Sequence, residues 1–195
     1  MAATLLLAST SPYRRRLLER LGVPFAVEAP QVDETPAVAE QPAARALRLA
    51  RAKAAAVSAR HPGSLVLGSD QVADCGGLVL DKPGDAAGCR AQLRASSGRA
   101  VQFHTAVVLL RAEPPVVRDF IDQTTVRFRS LTEDEIARYV ERDAPFDCAG
   151  GFRSEGLGVT LFESVETRDP TALVGLPLIW VADALRAAGL DPLSG

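Results

Sequence analysis

A chain of 195 residues, 47% hydrophobic and 24% charged, can bury a sizeable core, and its length favours one domain over residues 1–195, built as two lobes around a cleft. A formal net charge of −2 excludes a general attraction to nucleic acid or to anionic lipid. Cys75, Cys89 and Cys148 are odd in number and lack C-x-x-C spacing, which excludes a disulfide framework and a structural zinc site and fits reduced thiols in the cytoplasm.

The apolar run at Leu5 to Ser9 reads as a short buried strand. It has no basic residue before Arg14, and with so short an apolar core it does not resemble a signal peptide. Ser11 followed by Pro12 opens a helix, with the serine as N-cap and proline in the first turn. Leu17, Leu18 and Leu21 supply its apolar stripe and Gly22 its end. "PFAVEAP" suits a second strand, followed by an acidic, proline-marked loop, "QVDETPAVAEQP". From Ala43 to Arg60, helical periodicity aligns Ala46, Leu49, Ala50, Lys53 and Val57, placing a lysine on an otherwise apolar face.

"SLVLGSD" reads as a strand with a polar end, and "DCGG" before "LVL" as a hairpin turn. A small-residue helix is expected from about Asp85 to Ala95. Two long β-rich runs, "VQFHTAVVLL" and "VVRDFIDQTTVRFR", are joined by "AEPP" as a hairpin. Thr132 and Glu135 form a capping box, "CAGGFRSEGLG" a glycine-rich loop, "VTLF" a strand, and a last helix runs from near Pro177 to Gly189. "TALVGLPLIWVA" is broken by Pro177 and closed by Asp183, far short of the roughly 20 residues of a membrane span, and Trp180 is expected in the core. Strands and helices mix without strict alternation. The expected fold is therefore α/β, with a mixed, twisted sheet and flanking helices.

Four stretches fall where strands give way to loops: Ser9 to Arg15, Asp33 with Glu34, Ser69-Asp70-Gln71, and the loop at Lys82. The N-terminus of the first helix, with Ser9, Ser11 and Arg14, either holds a phosphate or is an ordinary cap with solvated arginines. Lys53 either snorkels to solvent or points inward, where an ammonium must meet an anion. Asp33, Glu34 and Asp70 are either solvated loop acids or, brought together, a hard-oxygen site for Mg²⁺ or Mn²⁺ with a carboxylate able to deprotonate water. A polyphosphate with a divalent ion is the ligand that needs both these acids and the lysines 53 and 82. His61 and His104 are too isolated for a histidine metal site.

The ordered blocks "LASTSPYRRRLL", "VDETP", "LARAKA", "GSDQV", "DKP", "CAGGFRSEGLG" and "DPTALVGLPL" resemble the Maf nucleotide pyrophosphatases over nearly the whole chain. The resemblance implies a cytosolic α/β enzyme related in fold to inosine triphosphatases, usually a homodimer. Such an enzyme hydrolyses a nucleoside triphosphate to monophosphate and pyrophosphate with a divalent metal. It also implies Asp70, Glu34, Lys53 and Lys82 as catalytic positions, with Asp70 as proton acceptor and with Glu34 and Asp70 near the metal. Ser9, Ser11 and Arg14 match the family's substrate-binding loop.

Tyr13, Gln71 and Glu155 depart from the commoner pattern, which has arginine at the first position and threonine at the second, and resemble the subgroup acting on 7-methyl-GTP. The physics agrees: methylation at N7 makes guanine cationic, and a cationic ring is attracted by a tyrosine face and by a carboxylate. The alternatives are a pyrophosphatase for dTTP, UTP or other unmodified nucleotides, and a nucleotide-binding regulator of cell division without turnover. Retention of all four catalytic positions weighs against the second.

Overall fold

The computed structural model describes residues 4–194. β1 (Leu5–Ala8) is followed by α1 (Pro12–Glu19), β2 (Phe25–Glu28), α2 (Pro42–Ser58), β3 (Leu65–Cys75) and β4 (Leu78–Leu80). Then come α3 (Ala86–Ser96), β5 (Ala100–Arg111), β6 (Val116–Phe128), α4 (Glu133–Asp143), β7 (Phe162–Glu166) and α5 (Leu178–Ala187). The strands form one mixed sheet in the order β2-β1-β3-β5-β6-β7, with β4 attached to β3. β1 runs parallel to both β2 and β3, whereas β3–β4 and β6–β7 are antiparallel. This is the mixed α/β architecture expected from the irregular order of strands and helices.

Contacts within the chain resolve it into two compact units. The first comprises the described residues up to Asp70, residues 105–122 and those from Asp169 onward; the second comprises residues 71–104 and 123–168. In the first, Leu5 and Leu7 of β1 register with Leu65 and Leu67 of β3, and all four are fully buried. Leu17 and Leu18 of α1 and Val181 and Leu185 of α5 join the same core, as expected where parallel strands are covered by helices. In the second, Phe103, Phe128, Phe152 and Phe162 meet edge to face with ring centroids 4.9 to 5.5 Å apart. α3 and α4 pack on each other in this unit.

Local chemistry explains the start of α4 and the β3–β4 turn. The Thr132–Glu135 capping box is reciprocal, Thr132 Oγ1 accepting from the Glu135 N–H and the Glu135 carboxylate from the Thr132 N–H. Gly76 and Gly77 both have positive φ and close the β3–β4 hairpin in the way a two-residue turn demands.

Three expectations need correction. The strand ending at Asp70 continues to Cys75, because β4 folds back and pairs with residues 73–75. "VTLF" is no strand as a whole: Leu157–Leu161 is a 3₁₀ turn, held by Gly158 N–H on the Arg153 carbonyl (3.1 Å) and Thr160 Oγ1 on the Leu157 carbonyl (2.8 Å), and β7 starts only at Phe162. Trp180 lies half-buried at the core margin, stacked on Phe120 at 6.0 Å, rather than inside.

Candidate active site

The first unit gathers Arg14, Glu34, Lys53 and Asp70. At the mouth of α1, the extended Ser11 accepts the Arg14 N–H on its hydroxyl at 3.4 Å, and Pro12 starts the helix. The buried Ser9 in turn accepts the Ser11 N–H at 3.1 Å, so the two serines order the turn that joins β1 to α1. Tyr13 and Arg14 follow, both half-buried.

Lys53 lies on the buried face of α2, and the inward reading is the one realised. Its Nζ is 2.7 Å from Asp70 Oδ1 and 2.7 Å from Glu34 Oε1. The side chains of Lys53 and Asp70 are 8% and 11% exposed, whereas that of Glu34 is 58% exposed, so the pair is buried and its third member opens to solvent.

The reach is set by Gly68, two residues before Asp70 and hence on the same face of β3. A Cβ at Gly68 would stand 2.5 Å from the Ala50 carbonyl oxygen and 2.7 Å from the Ala54 nitrogen. The backbone of α2 therefore lies directly against β3 only because residue 68 has no side chain. Lys53 and Ala54 share the helix face that makes this approach.

Arg14 belongs to the same cluster. Burial pushes its guanidinium below the ordinary arginine value, while Asp70 and Glu34 pull the other way; it stays protonated in either case. Two cations therefore oppose two carboxylates. The Arg14 Nε donates to the Gly175 carbonyl at 3.0 Å, and the buried Ser69 hydroxyl donates to the same oxygen at 3.0 Å. Gly175 has φ +118°, and a Cβ there would touch Arg14 Nε at 3.4 Å.

Glu34 sits on a loop with its own fastenings. Asp33 Oδ1 accepts both the Thr35 N–H (2.9 Å) and the Thr35 hydroxyl (2.6 Å), so Asp33 closes a turn and does not join Lys53. Arg48 of α2 grips Glu40 through two hydrogen bonds of 2.6 and 2.7 Å and reaches the Thr35 carbonyl at 3.2 Å.

Gln71, Lys82 and Glu155 stand in the second unit. Gln71 directly follows Asp70 in β3, Lys82 is exposed on the loop after β4, and Glu155 is exposed in the glycine-rich loop with Ser154 Oγ donating to its carboxylate at 3.3 Å. The structure thus brings together Ser9 with Ser11, and Arg14, Glu34, Lys53 and Asp70, within the first unit.

Sequence reasoning missed Gly68, the Ser69 and Arg14 bonds to Gly175, and the Arg48–Glu40 fork. A glycine inside an otherwise β-branched and leucine-rich strand was the available signal for the first.

The donor set is compatible with a hard divalent cation. No group of three or more His, Cys, Asp and Glu able to hold a metal occurs among the described residues. Magnesium, however, commonly takes only one or two protein carboxylates and completes its shell with substrate phosphates and water. Glu34 and Asp70, sharing Lys53, meet that description.

A mixed α/β protein whose buried lysine is shared by two carboxylates beside an arginine is equipped to bind and act on phosphate groups. The profile of the Maf-like protein family matches residues 4–188, and the chain belongs to that family. It is 53% identical over 189 residues to a 7-methyl-GTP pyrophosphatase of Xanthomonas oryzae pv. oryzae, covering 97% of this chain and 98% of that one. It is 53% identical to a protein of the same name from Aromatoleum aromaticum (95% and 96% covered) and 51% identical to one from Bordetella avium (97% and 95%). Among solved structures, the Staphylococcus aureus Ham1 protein aligns with TM-score 0.46 and 13% identity, over 80% of this chain and 89% of that one.

Proposed function

We propose that the protein hydrolyses 7-methyl-GTP to 7-methyl-GMP and pyrophosphate. The observation that carries this reading is the buried Lys53, shared by Asp70 and Glu34 beside Arg14, in a chain about half identical along its length to proteins named for that reaction. Water adds to the α-phosphorus and gives up a proton, and the bridging oxygen leaves with pyrophosphate. Asp70 is the proton acceptor, held in place by Lys53. Negative charge grows on the phosphate oxygens in the transition state, where the fixed cations Lys53 and Arg14 oppose it, and family resemblance supports Lys82 as a further catalytic position.

Glu34 and Asp70 are the residues to hold a Mg²⁺ or Mn²⁺ ion. Such an ion, when bound, neutralises phosphate charge and polarises the reacting phosphoryl group. Ser9 and Ser11, with the N–H groups of the α1 mouth, bind phosphate. Tyr13, Gln71 and Glu155 select the base: the tyrosine face and the carboxylate both favour a ring made cationic by N7 methylation.

Cys75, Cys89 and Cys148 are odd in number and lack C-x-x-C spacing, which supports a cytoplasmic setting, and family resemblance supports a homodimer. No helix among the described residues is long and apolar enough to cross a membrane.

The test is pyrophosphate release, with Mg²⁺ or Mn²⁺, from 7-methyl-GTP beside GTP, dTTP, UTP and CTP. A preference of about tenfold or more in kcat/KM for the methylated base, about 1.4 kcal/mol, is expected. Equal or better use of dTTP or UTP would refute the base assignment, and absence of turnover on all five would refute the enzymatic reading.

A further inference from the structure

The glycine-rich loop that carries Glu155 is bonded to the C-terminal half of α4 just before that residue and passes close against it just after. On the N-terminal side, the Arg153 N–H donates to the Tyr139 hydroxyl at 3.0 Å, and that hydroxyl donates to Asp143 Oδ2 at 2.8 Å. The Arg153 guanidinium donates to Asp143 Oδ1 at 2.7 Å and also to the Asp143 backbone carbonyl. On the C-terminal side, Gly156 passes so close to Asp143 that a Cβ there would lie 3.0 Å from Oδ1.

The clamp is buried where it is polar. Tyr139 and Asp143 are both buried, which makes a missing partner expensive and a complete network rigid. Burial above all raises the tyrosine hydroxyl far out of its ordinary range, so it keeps its proton and serves as a donor to Asp143. Arg153 neutralises Asp143 and meets the carbonyl end of α4, where a cation is favoured. Tyr139 and Asp143 are one helical turn apart, so α4 presents both to the loop as a preformed unit.

We propose that Tyr139, Asp143 and Arg153 form a positioning clamp that fixes the Glu155 carboxylate for selection of the methylated base. The proposal rests on the reading of Glu155 given above. None of the three is a catalytic residue; they act through the loop. An exposed carboxylate on a free loop would lose conformational entropy on meeting the base, and a loop already ordered avoids that loss.

The experiment compares kcat and KM for 7-methyl-GTP and for GTP in wild type, Tyr139→Phe and Glu155→Gln. Tyr139→Phe removes one hydroxyl and keeps the ring. The expected result is a KM for 7-methyl-GTP raised about fivefold with kcat little changed, the GTP parameters unmoved, and a larger loss of discrimination in Glu155→Gln. Equal losses on both nucleotides in Tyr139→Phe mark a merely structural role and overturn the clamp. So does unchanged discrimination in Tyr139→Phe while Glu155→Gln loses it. Unchanged discrimination in Glu155→Gln overturns the base reading itself, a distinguishable failure. If Tyr139→Phe does not fold, Arg153→Lys, which retains the charge and the backbone N–H but not the guanidinium nitrogen that bonds Asp143, carries the same comparison with a smaller expected shift.

Discussion

Lys53 reaches Asp70, with Nζ 2.7 Å from Oδ1, because Gly68 lets the backbone of α2 touch β3. The pairing depends on two periodicities at once. Gly68 and Asp70 share a face of the strand, and Ala50, Lys53 and Ala54 share a face of the helix. A residue with no side chain thereby determines where the charged ones meet.

Gly68→Ala puts a methyl group 2.5 Å from the Ala50 carbonyl oxygen, a contact that backbone can relieve only by moving away. Overpacking of this kind destabilises by about 1–3 kcal/mol. The expected outcome is a lower urea midpoint together with a fall in kcat larger than any change in KM, since Lys53 and Asp70 are drawn apart. A variant with lowered stability but full kcat would show that the close approach matters for packing alone.

Asp70→Asn keeps the shape and removes the negative charge. On the proposed mechanism it abolishes detectable pyrophosphate release while calorimetric titration still records nucleotide binding. Lys53→Met differs, because it leaves the buried Asp70 without its cation. Loss of one partner of a buried pair destabilises by about 3 kcal/mol or more, and loss of a transition-state donor lowers kcat by about 10²- to 10³-fold. Chemical denaturation and steady-state kinetics on the same preparation separate the two effects.

Much of this was readable in advance because it is local. A serine before a proline, a threonine three residues from a glutamate, and paired glycines between apolar runs each satisfy backbone groups within one turn, so Ser11, Thr132 and Gly76 mark their elements without help from distant residues. Lys53 stood out as the one charge on an apolar helical face. The continuation of β3 past Asp70 is settled by the pairing of Ala73 with Leu80, and the loss of strand at Leu157 by bonds back to Arg153. The Gly175 carbonyl is engaged by an arginine 161 positions earlier. The last is a property of tertiary contact, which no pattern of spacing encodes.

The Arg48–Glu40 fork gives a pH prediction with a definite sign. Hydrogen bonds from Arg48 hold the Glu40 carboxyl down at about 2. An unfolded glutamate titrates near about 4.3. A carboxyl depressed in the folded state stabilises above its unfolded pKa, and that contribution is lost as pH falls through the folded value. Glu40→Gln is therefore expected to be less stable than wild type at pH 6, with the difference shrinking from about pH 4 and vanishing near pH 2. Urea denaturation across that range measures it. A difference that stays constant with pH would assign the effect to shape rather than charge.

Tyr13 offers the sharpest separation of stacking from charge. Replacement by leucine retains apolar contact but removes the negative ring face. On the proposed base recognition, stacking of any guanine weakens, yet only the methylated base also loses the attraction of its positive charge for the ring. That part is about 1 kcal/mol at a partly exposed site, or about fivefold in kcat/KM. Tyr13→Leu is thus expected to lower the ratio of kcat/KM for 7-methyl-GTP over GTP about fivefold, and Tyr13→Arg to lower it further because like charges then face each other. Tyr13→Phe, which keeps the ring face, is expected to retain the ratio. If phenylalanine and leucine lose it equally, the hydroxyl of Tyr13 rather than its π face recognises the nucleotide, and the cationic character of the base plays no part at this position.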